Sequence, residues 1–343
     1  MEIQEYVDIK NYSTFKIGGQ FRYFVVISSI EELSQIYVIA REDVKYKNTP
    51  IFILGGGSNI VFSDGVINVV ALKIEIKGFE IINETDEYLD IRVGAGENWD
   101  DFVKRSVEMN LSGVEAMSII PGTVGAGPVQ NVGAYGVEVK DIILNVEVFD
   151  KNINEFKILS NLDCKFGYRD SIFKNEEKDR YIITYVIYRL SKKEPRIPNY
   201  PDVLKYFADK NLLNPSLENI REAIIFIRNS KLPDFRRLPN VGSFFKNPII
   251  ENILADKLKE NYLNIKIFPI DENYSKIPAG WLIENAELKG KSFGNISVYD
   301  KSALVLVNNN NASFDDLIYA KNEIIKIVFD KFKITLEQEP EIV

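Results

Sequence analysis

The sequence predicts an α+β protein of more than one domain, on three observations. The chain has 343 residues, enough for two or three domains, and 45% of them are hydrophobic. Strand patterns crowd the middle of the chain, roughly 66–192, while helical periodicity dominates 216–330. Two glycine-rich loops, at 55–59 and 121–136, interrupt the elements.

Taken in order, residues 1–65 read as a small α/β unit. Ser29 is an N-cap for a helix over 30–41, with Glu31 and Glu32 in the first turn, where the helix dipole favours acids. Residues 51–54, Ile-Phe-Ile-Leu, form a short buried-strand pattern that runs into Gly55-Gly-Gly-Ser-Asn59. Strands are expected at 67–72, 88–93, 144–149 and 181–190, with one helix at 99–110. Prolines 195, 198 and 201 mark 191–201 as a linker or excursion. Beyond it, 217–228 and 314–329 carry apolar residues at helical spacing, 303–307 reads as a strand, and 334–343 as a final strand. The run Asn308–Asn311 reads as a turn. The domains expected are therefore 1–65, 66–205 and 215–330, with 331–343 returning to the rest.

Composition excludes several chemistries. The net charge of −8 gives no basic footprint for nucleic acid or an anionic membrane. The N-terminal residues lack the basic and apolar regions of a signal peptide, so a cytoplasmic location is expected. There is no histidine, which rules out the usual His/Cys zinc sites and catalysis through Ser-His-Asp or Cys-His. Cys164 is the single cysteine, so no internal disulfide forms and no metal site is expected. Proton transfer falls to Ser, Tyr, Lys, Cys164, a carboxylate or water.

Residues 116–137 contain no charge in a protein that is 27% charged. Such glycine density means repeated φ > 0 or close approach of the backbone to something. Gln130 and Asn131 are the amide side chains of the run, which suits a flat, neutral guest with hydrogen-bonding edges, such as a flavin ring. The loop at Gly55, Gly56, Gly57, Ser58 and Asn59 follows a strand and reads as a diphosphate cradle or as an ordinary glycine turn. It is neither a P-loop nor a Rossmann fingerprint, because no Gly-Lys-Ser/Thr follows and Ile60 stands where a third glycine belongs. Phe166-Gly-Tyr-Arg-Asp-Ser171 offers Arg169 as a carboxylate fork, against the plainer reading of a surface turn. Gly242-Ser243-Phe-Phe-Lys-Asn247 is by composition a capped turn with two core aromatics, and alternatively holds Ser243 as a proton donor in an apolar pocket. The acidic end at Glu339 and Glu341 reads by itself as a solvated tail.

Together these segments resemble the UDP-N-acetylenolpyruvoylglucosamine reductase (UDP-N-acetylmuramate dehydrogenase) family. The matching stretches are Asn11-x-x-Thr14-Phe15-x-Ile17-Gly18-Gly19, Leu54-Gly-Gly-Gly-Ser-Asn59, Ile120-Pro-Gly-Thr-Val-Gly125 and Gln130-Asn-Val-Gly-Ala-Tyr-Gly136. They continue with Phe166-Gly-Tyr-Arg-Asp-Ser-Ile-Phe-Lys174, Ile227-Arg-x-x-Lys-Leu-Pro-Asp234, Gly242 to Pro248, Ala279-Gly-Trp-Leu-Ile283 with Leu288-Lys-Gly290, and Ala303-Leu-Val-Leu306. They fall in family order over almost the whole chain.

The resemblance implies an FAD-binding fold of the vanillyl-alcohol-oxidase type in two subdomains, then an α+β substrate domain. It implies FAD and NADPH as cofactors, UDP-N-acetylglucosamine enolpyruvate as substrate, and a monomer. It places the chain in peptidoglycan precursor synthesis, and through that in cell-wall biogenesis, cell shape and division. Hydride would pass from flavin N5 to substrate C3 and a proton to C2. Arg169, Ser243 and Glu339 match the catalytic positions, with Ser243 the proton donor. Glu341 is the weaker alternative register to Glu339. Gly55–Asn59, Ile120, Pro121, Gly122, Thr123, Gly125, Gln130, Asn131, Gly133 and Tyr135 match cofactor positions. Tyr168, Tyr200, Lys231, Asn247 and Lys289 match substrate positions, Tyr200 in the proline-rich stretch of the longer family branch. The chain departs from the family pattern at Val298-Tyr-Asp-Lys-Ser302, where a histidine and a glutamine are usual, and at Phe235, where proline is frequent.

Overall fold

The computed structural model describes all 343 residues. The chain divides into two compact units, each assembled from three stretches. The first comprises Met1–Val7, Phe21–Gly56 and Asn68–Arg228; the second comprises Asp8–Gln20, Gly57–Ile67 and Asn229–Val343.

The first unit is built on two sheets. Gln4–Asp8, Gln20–Ile27, Val66–Ile74 and Ile51–Leu54 form a four-stranded sheet in that spatial order, the last two strands parallel. The helix Ile30–Glu42 accompanies it, capped by Ser29, whose side chain accepts from the Glu32 N–H as its position in the sequence predicts. A five-stranded antiparallel sheet follows, in the order Glu155–Ser160, Ile143–Asp150, Tyr181–Ser191, Tyr88–Gly94 and Phe79–Glu84. The helix Trp99–Glu108 buries Trp99, Phe102 and Val103 in a core shared with residues of both sheets. A small separate core joins the helices Pro201–Asp209 and Leu217–Lys231 through Val203, Phe207, Ile220, Ala223, Ile224 and Ile227.

The helix Pro201–Asp209 begins at the last residue of the stretch that the prolines mark as a linker or excursion. The chain is irregular as far as Tyr200, but Pro201 then occupies the first helical position, where its missing N–H costs nothing.

The second unit holds a sheet of Asn240–Ser243, Val305–Asn308, Ile296–Val298 and Ser292–Phe293 and a three-stranded sheet around Tyr274–Lys276. The long helix Phe314–Phe332 starts on a capping box of Ser313 and Asp316 and buries Leu317, Ala320, Ile324 and Val328. Phe15, Ile17 and Val61 are fully buried in the same core as Phe244, Leu306 and Ile324. The expected final strand over 334–343 shrinks to Glu341–Ile342, preceded by a single bridge from Gln338 to Phe245. Pro340 interrupts it, having no N–H for a ladder. No helix is long and apolar enough to cross a membrane.

Candidate active site

In the first unit the two glycine loops meet. A Cβ added at Gly56 would lie 2.6 Å from the Gly122 Cα, and one at Gly55 would lie 3.0 Å from the Thr123 hydroxyl. At Gly56 only hydrogen lets the backbones come so close. The strand Ile51–Leu54 and the helix Trp99–Glu108 fix the two sides of this approach.

The segment leading into that helix grips the second loop along its length. The Trp99 N–H donates to the Gly122 carbonyl at 3.1 Å, Val124 N–H to Glu97 at 2.9 Å, and Gly125 N–H to Ala95 at 2.9 Å. A Cβ at Gly125 would sit 2.6 Å from the Ala95 Cβ. Glycine density here serves close packing at Gly125 and Gly133 and positive φ at Gly122 and Gly136. The other left-handed positions are non-glycine: Ile119 at φ 51°, Asn131 at 46° and Tyr135 at 53°.

Asn131 is fully buried. Its Nδ2 donates to Glu138 at 3.0 Å and to the Gly167 carbonyl at 2.8 Å, and its Oδ1 accepts from the Lys140 N–H at 3.1 Å. The side chain therefore braces the loop. Ile120, Pro121, Gln130 and Gly133 are half-buried along the same run.

Arg169 belongs to this assembly. Its backbone is left-handed at φ 54°, and its guanidinium donates to the Gly133 carbonyl at 3.0 Å and to the Asn131 carbonyl at 3.5 Å. The half-buried cation is thus anchored on the glycine loop. Tyr168 beside it is exposed, with its ring centre 5.7 Å from the Arg169 guanidinium carbon. Tyr200, at the start of the helix Pro201–Asp209, packs edge-on against Tyr135 with ring centres 5.4 Å apart. Burial pushes the Tyr135 phenol up, while the nearby Arg228 works against that shift.

In the second unit Ser243 ends the strand Asn240–Ser243, paired with Val305. Gly242 at φ 73° turns the chain, and its N–H donates to the Asn240 side chain at 2.9 Å. Phe244 and Phe245 are core residues, as their composition suggests, with ring centres 5.2 Å apart. The C-terminal stretch lies beside them: Glu339 N–H donates to the Phe244 carbonyl at 2.9 Å, and Lys246 N–H donates to the Glu337 carbonyl at 2.9 Å. Two residues on, the Glu341 N–H donates to the Asn59 carbonyl at 3.1 Å and begins a parallel pairing with Ile60 and Val61. The stretch read as a solvated tail is thus pinned to two partners. Glu339 lies alongside Phe244, the residue after Ser243, and Glu341 alongside Asn59 at the end of the first glycine loop.

Gly57 is buried at φ 61°, and a Cβ there would overlap the Tyr12 carbonyl at 1.8 Å. Asn247 accepts the Ala279 N–H at 2.9 Å, capping the short helix Ala279–Asn285. Lys289 is paired with Glu284 at 2.8 Å on the surface, a contact weak enough to yield to a ligand. Lys231 is exposed at the end of its helix.

Residues 21–152 match the FAD binding domain family, and residues 233–343 match the family of the C-terminal domain of UDP-N-acetylenolpyruvoylglucosamine reductase. The chain is 43% identical to the UDP-N-acetylenolpyruvoylglucosamine reductase of Flavobacterium johnsoniae over the whole of both chains. It is 42% identical to that of Neisseria gonorrhoeae, covering 97% of this chain and 95% of the relative. It is 39% identical to that of Bdellovibrio bacteriovorus, covering 99% of each. The crystal structure of the Thermus caldophilus reductase superposes with a TM-score of 0.69 at 22% identity, over 100% of this chain and 99% of that one. That likeness speaks for the fold, which is the α+β, FAD-binding class expected from the sequence.

Proposed function

Since the chain belongs to the UDP-N-acetylenolpyruvoylglucosamine reductase family, FAD-dependent oxidoreductases of peptidoglycan precursor synthesis, we propose that it reduces UDP-N-acetylglucosamine enolpyruvate to UDP-N-acetylmuramate at the expense of NADPH. FAD fits the first unit on an observation of this chain. Gly56 closes on Gly122 so tightly that a side chain is excluded, and Gly55 lies tight against the Thr123 hydroxyl; this uncharged stretch of backbone suits a flat ring and its diphosphate. Gly55, Gly56, Ile120, Pro121, Gly122, Thr123, Gly125, Gln130, Asn131, Gly133 and Tyr135 would hold it, with Gly57, Ser58 and Asn59 continuing the first loop. When bound, FAD supplies hydride transfer from NADPH to C3 of the enolpyruvyl ether.

The protein's own residues handle charge and the proton. Addition at C3 leaves negative charge at C2, delocalised onto the adjacent carboxylate. Arg169 binds that carboxylate with its guanidinium, and Glu339 donates to it through a protonated carboxyl. Preorganised donors of this kind contribute roughly 3–4 kcal/mol each. Ser243 protonates C2; a hydroxyl is a weak acid, but the carbanion is a strong base. Tyr168, Tyr200, Lys231, Asn247 and Lys289 bind the nucleotide sugar.

The observation that supports this reading most directly is the hydrogen bond from Glu339 N–H to the Phe244 carbonyl, one residue from Ser243. It favours Glu339 over Glu341 for the carboxyl role. The reading includes a cytoplasmic monomer; a dimer in sedimentation equilibrium would overturn that part.

The test is to measure the two half-reactions separately and without oxygen. The purified protein is expected to be yellow, to bleach with NADPH, and to recover its colour on adding the enolpyruvyl substrate. A colourless protein that does not take up FAD overturns the proposal.

A further inference from the structure

Ile119 stands one residue before the cofactor loop with φ 51°. For a β-branched residue this is a true outlier, because Cβ crowds the backbone. Strain of this sort persists only where neighbours enforce it. The enforcing group here is Asp100, in the first turn of the helix Trp99–Glu108, whose Oδ1 accepts the Ile119 N–H at 2.6 Å. Arg221 holds the same carboxylate in a fork, Nη1 to Oδ1 at 2.7 Å and Nη2 to Oδ2 at 2.9 Å. Arg221 lies on the helix Leu217–Lys231, whose buried face also packs against Tyr135. Next to Asp100, the Trp99 N–H holds the Gly122 carbonyl. The turn into the loop is thereby fixed at both ends from a single helix start.

We propose that Asp100 is a positioning residue: anchored by Arg221, it holds Ile119 in its strained conformation and so keeps the loop of residues 120–125 set for the cofactor before it binds. This deepens the FAD reading and rests on it. Burial alone would raise the Asp100 carboxyl; Arg221 and the Ile119 N–H outweigh it and lower the carboxyl below its usual range, so the acceptor is ionised at neutral pH. In physical terms the folded protein carries the strain in advance. Without the carboxylate, Ile119 relaxes, and FAD must restore the strained turn from its own binding energy.

The test titrates FAD into apoenzyme, read by quenching of flavin fluorescence. Wild type must bind first; if it does not, the FAD reading itself fails. Asp100→Ala is expected to weaken FAD by roughly tenfold to a hundredfold, the equivalent of the strain energy. Adding Ile119→Gly, which adopts positive φ freely, is expected to restore affinity to within about threefold. If Asp100→Ala does not fold, Arg221→Gln replaces it; it is expected to weaken FAD by about threefold or more, again reversed by Ile119→Gly. Wild-type affinity in the first variant overturns the proposal. So does weakened binding that Ile119→Gly fails to restore, because a merely structural ion pair would not respond to glycine at 119.

Discussion

The Glu339 main-chain N–H donates to the carbonyl of Phe244 at 2.9 Å. This bond, with the bridge between Gln338 and Phe245, aligns a residue near the end of the sequence with the one that follows Ser243. The two side chains assigned to proton and charge handling are thus held by one short antiparallel contact. Ser243→Ala is expected to leave reduction of the flavin by NADPH intact and to slow reduction of the enolpyruvyl substrate by about 10²–10⁴-fold. Stopped-flow measurement of each half-reaction decides it; loss of both or neither would remove Ser243 from the proton-donor role.

Glu339→Gln keeps the main-chain bond and the shape of the side chain while removing the acid. The expected outcome is a fall of about 10²–10³-fold in turnover, with the thermal midpoint and FAD content unchanged. Glu341→Gln, whose main chain pairs elsewhere, serves as the control and is expected to retain turnover.

Gly56→Ala forces a Cβ to 2.6 Å from the Gly122 Cα, backbone against backbone. The loops must separate, at a cost of about 1–3 kcal/mol, and the protein is expected to purify with little or no flavin. Gly65 sits at positive φ, but a Cβ there meets nothing within 4 Å, so Gly65→Ala serves as the comparison. It is expected to cost about 1 kcal/mol of stability and to remain yellow. Flavin absorbance per protein separates the two.

Asp150 is fully buried in the five-stranded sheet and accepts from Arg180 at 2.8 Å and Lys157 at 2.9 Å. The Arg180 guanidinium, first among these donors, holds its carboxyl far below the usual range against the cost of burial. A folded pKa below the unfolded one stabilises the protein above the unfolded value, near 3.9, and that contribution is lost as pH falls further. Asp150→Asn is therefore expected to cost about 3–5 kcal/mol at neutral pH, with the gap from wild type narrowing below about pH 4. Urea unfolding at pH 7 and pH 3 measures it; an equal gap at both would refute the assignment.

Cys164 is buried, and burial pushes its thiol up to about 12. The thiolate is the reactive form, so a thiol reagent at pH 8 is expected to modify the native protein far more slowly than the urea-unfolded one. Rapid labelling of the folded protein would contradict this burial.

Where the physics is local, the sequence and the structure agree. Ser29 caps its helix, 181–190 is a strand, and Phe244 and Phe245 are core. The failures concern partners distant in sequence. Nothing near 334–343 announces that its main chain will pair with Phe245 at one point and Ile60 at another, so a continuous strand was the natural reading. Asp100 looks like any first-turn acid beside Asp101; only the fold brings Ile119 and Arg221 to it. Glycine density pointed correctly to close backbone approach, yet Ile119, Asn131 and Tyr135 take left-handed conformations that composition does not advertise.

The second unit takes Asp8–Gln20 and Gly57–Ile67 as well as Asn229–Val343. The Asn240 N–H donates to the Thr14 carbonyl at 3.1 Å, and the Asn308 side chain donates to the Phe15 carbonyl at 3.1 Å. During synthesis, then, Phe15 and Ile17 leave the ribosome more than 200 residues before the strands that bury them. Contacts so far apart in sequence are slow to form, and early apolar segments await them exposed. The C-terminal unit is also not excisable as a single stretch: a fragment starting at Asn229 would leave a groove where Phe15, Ile17 and Val61 belong.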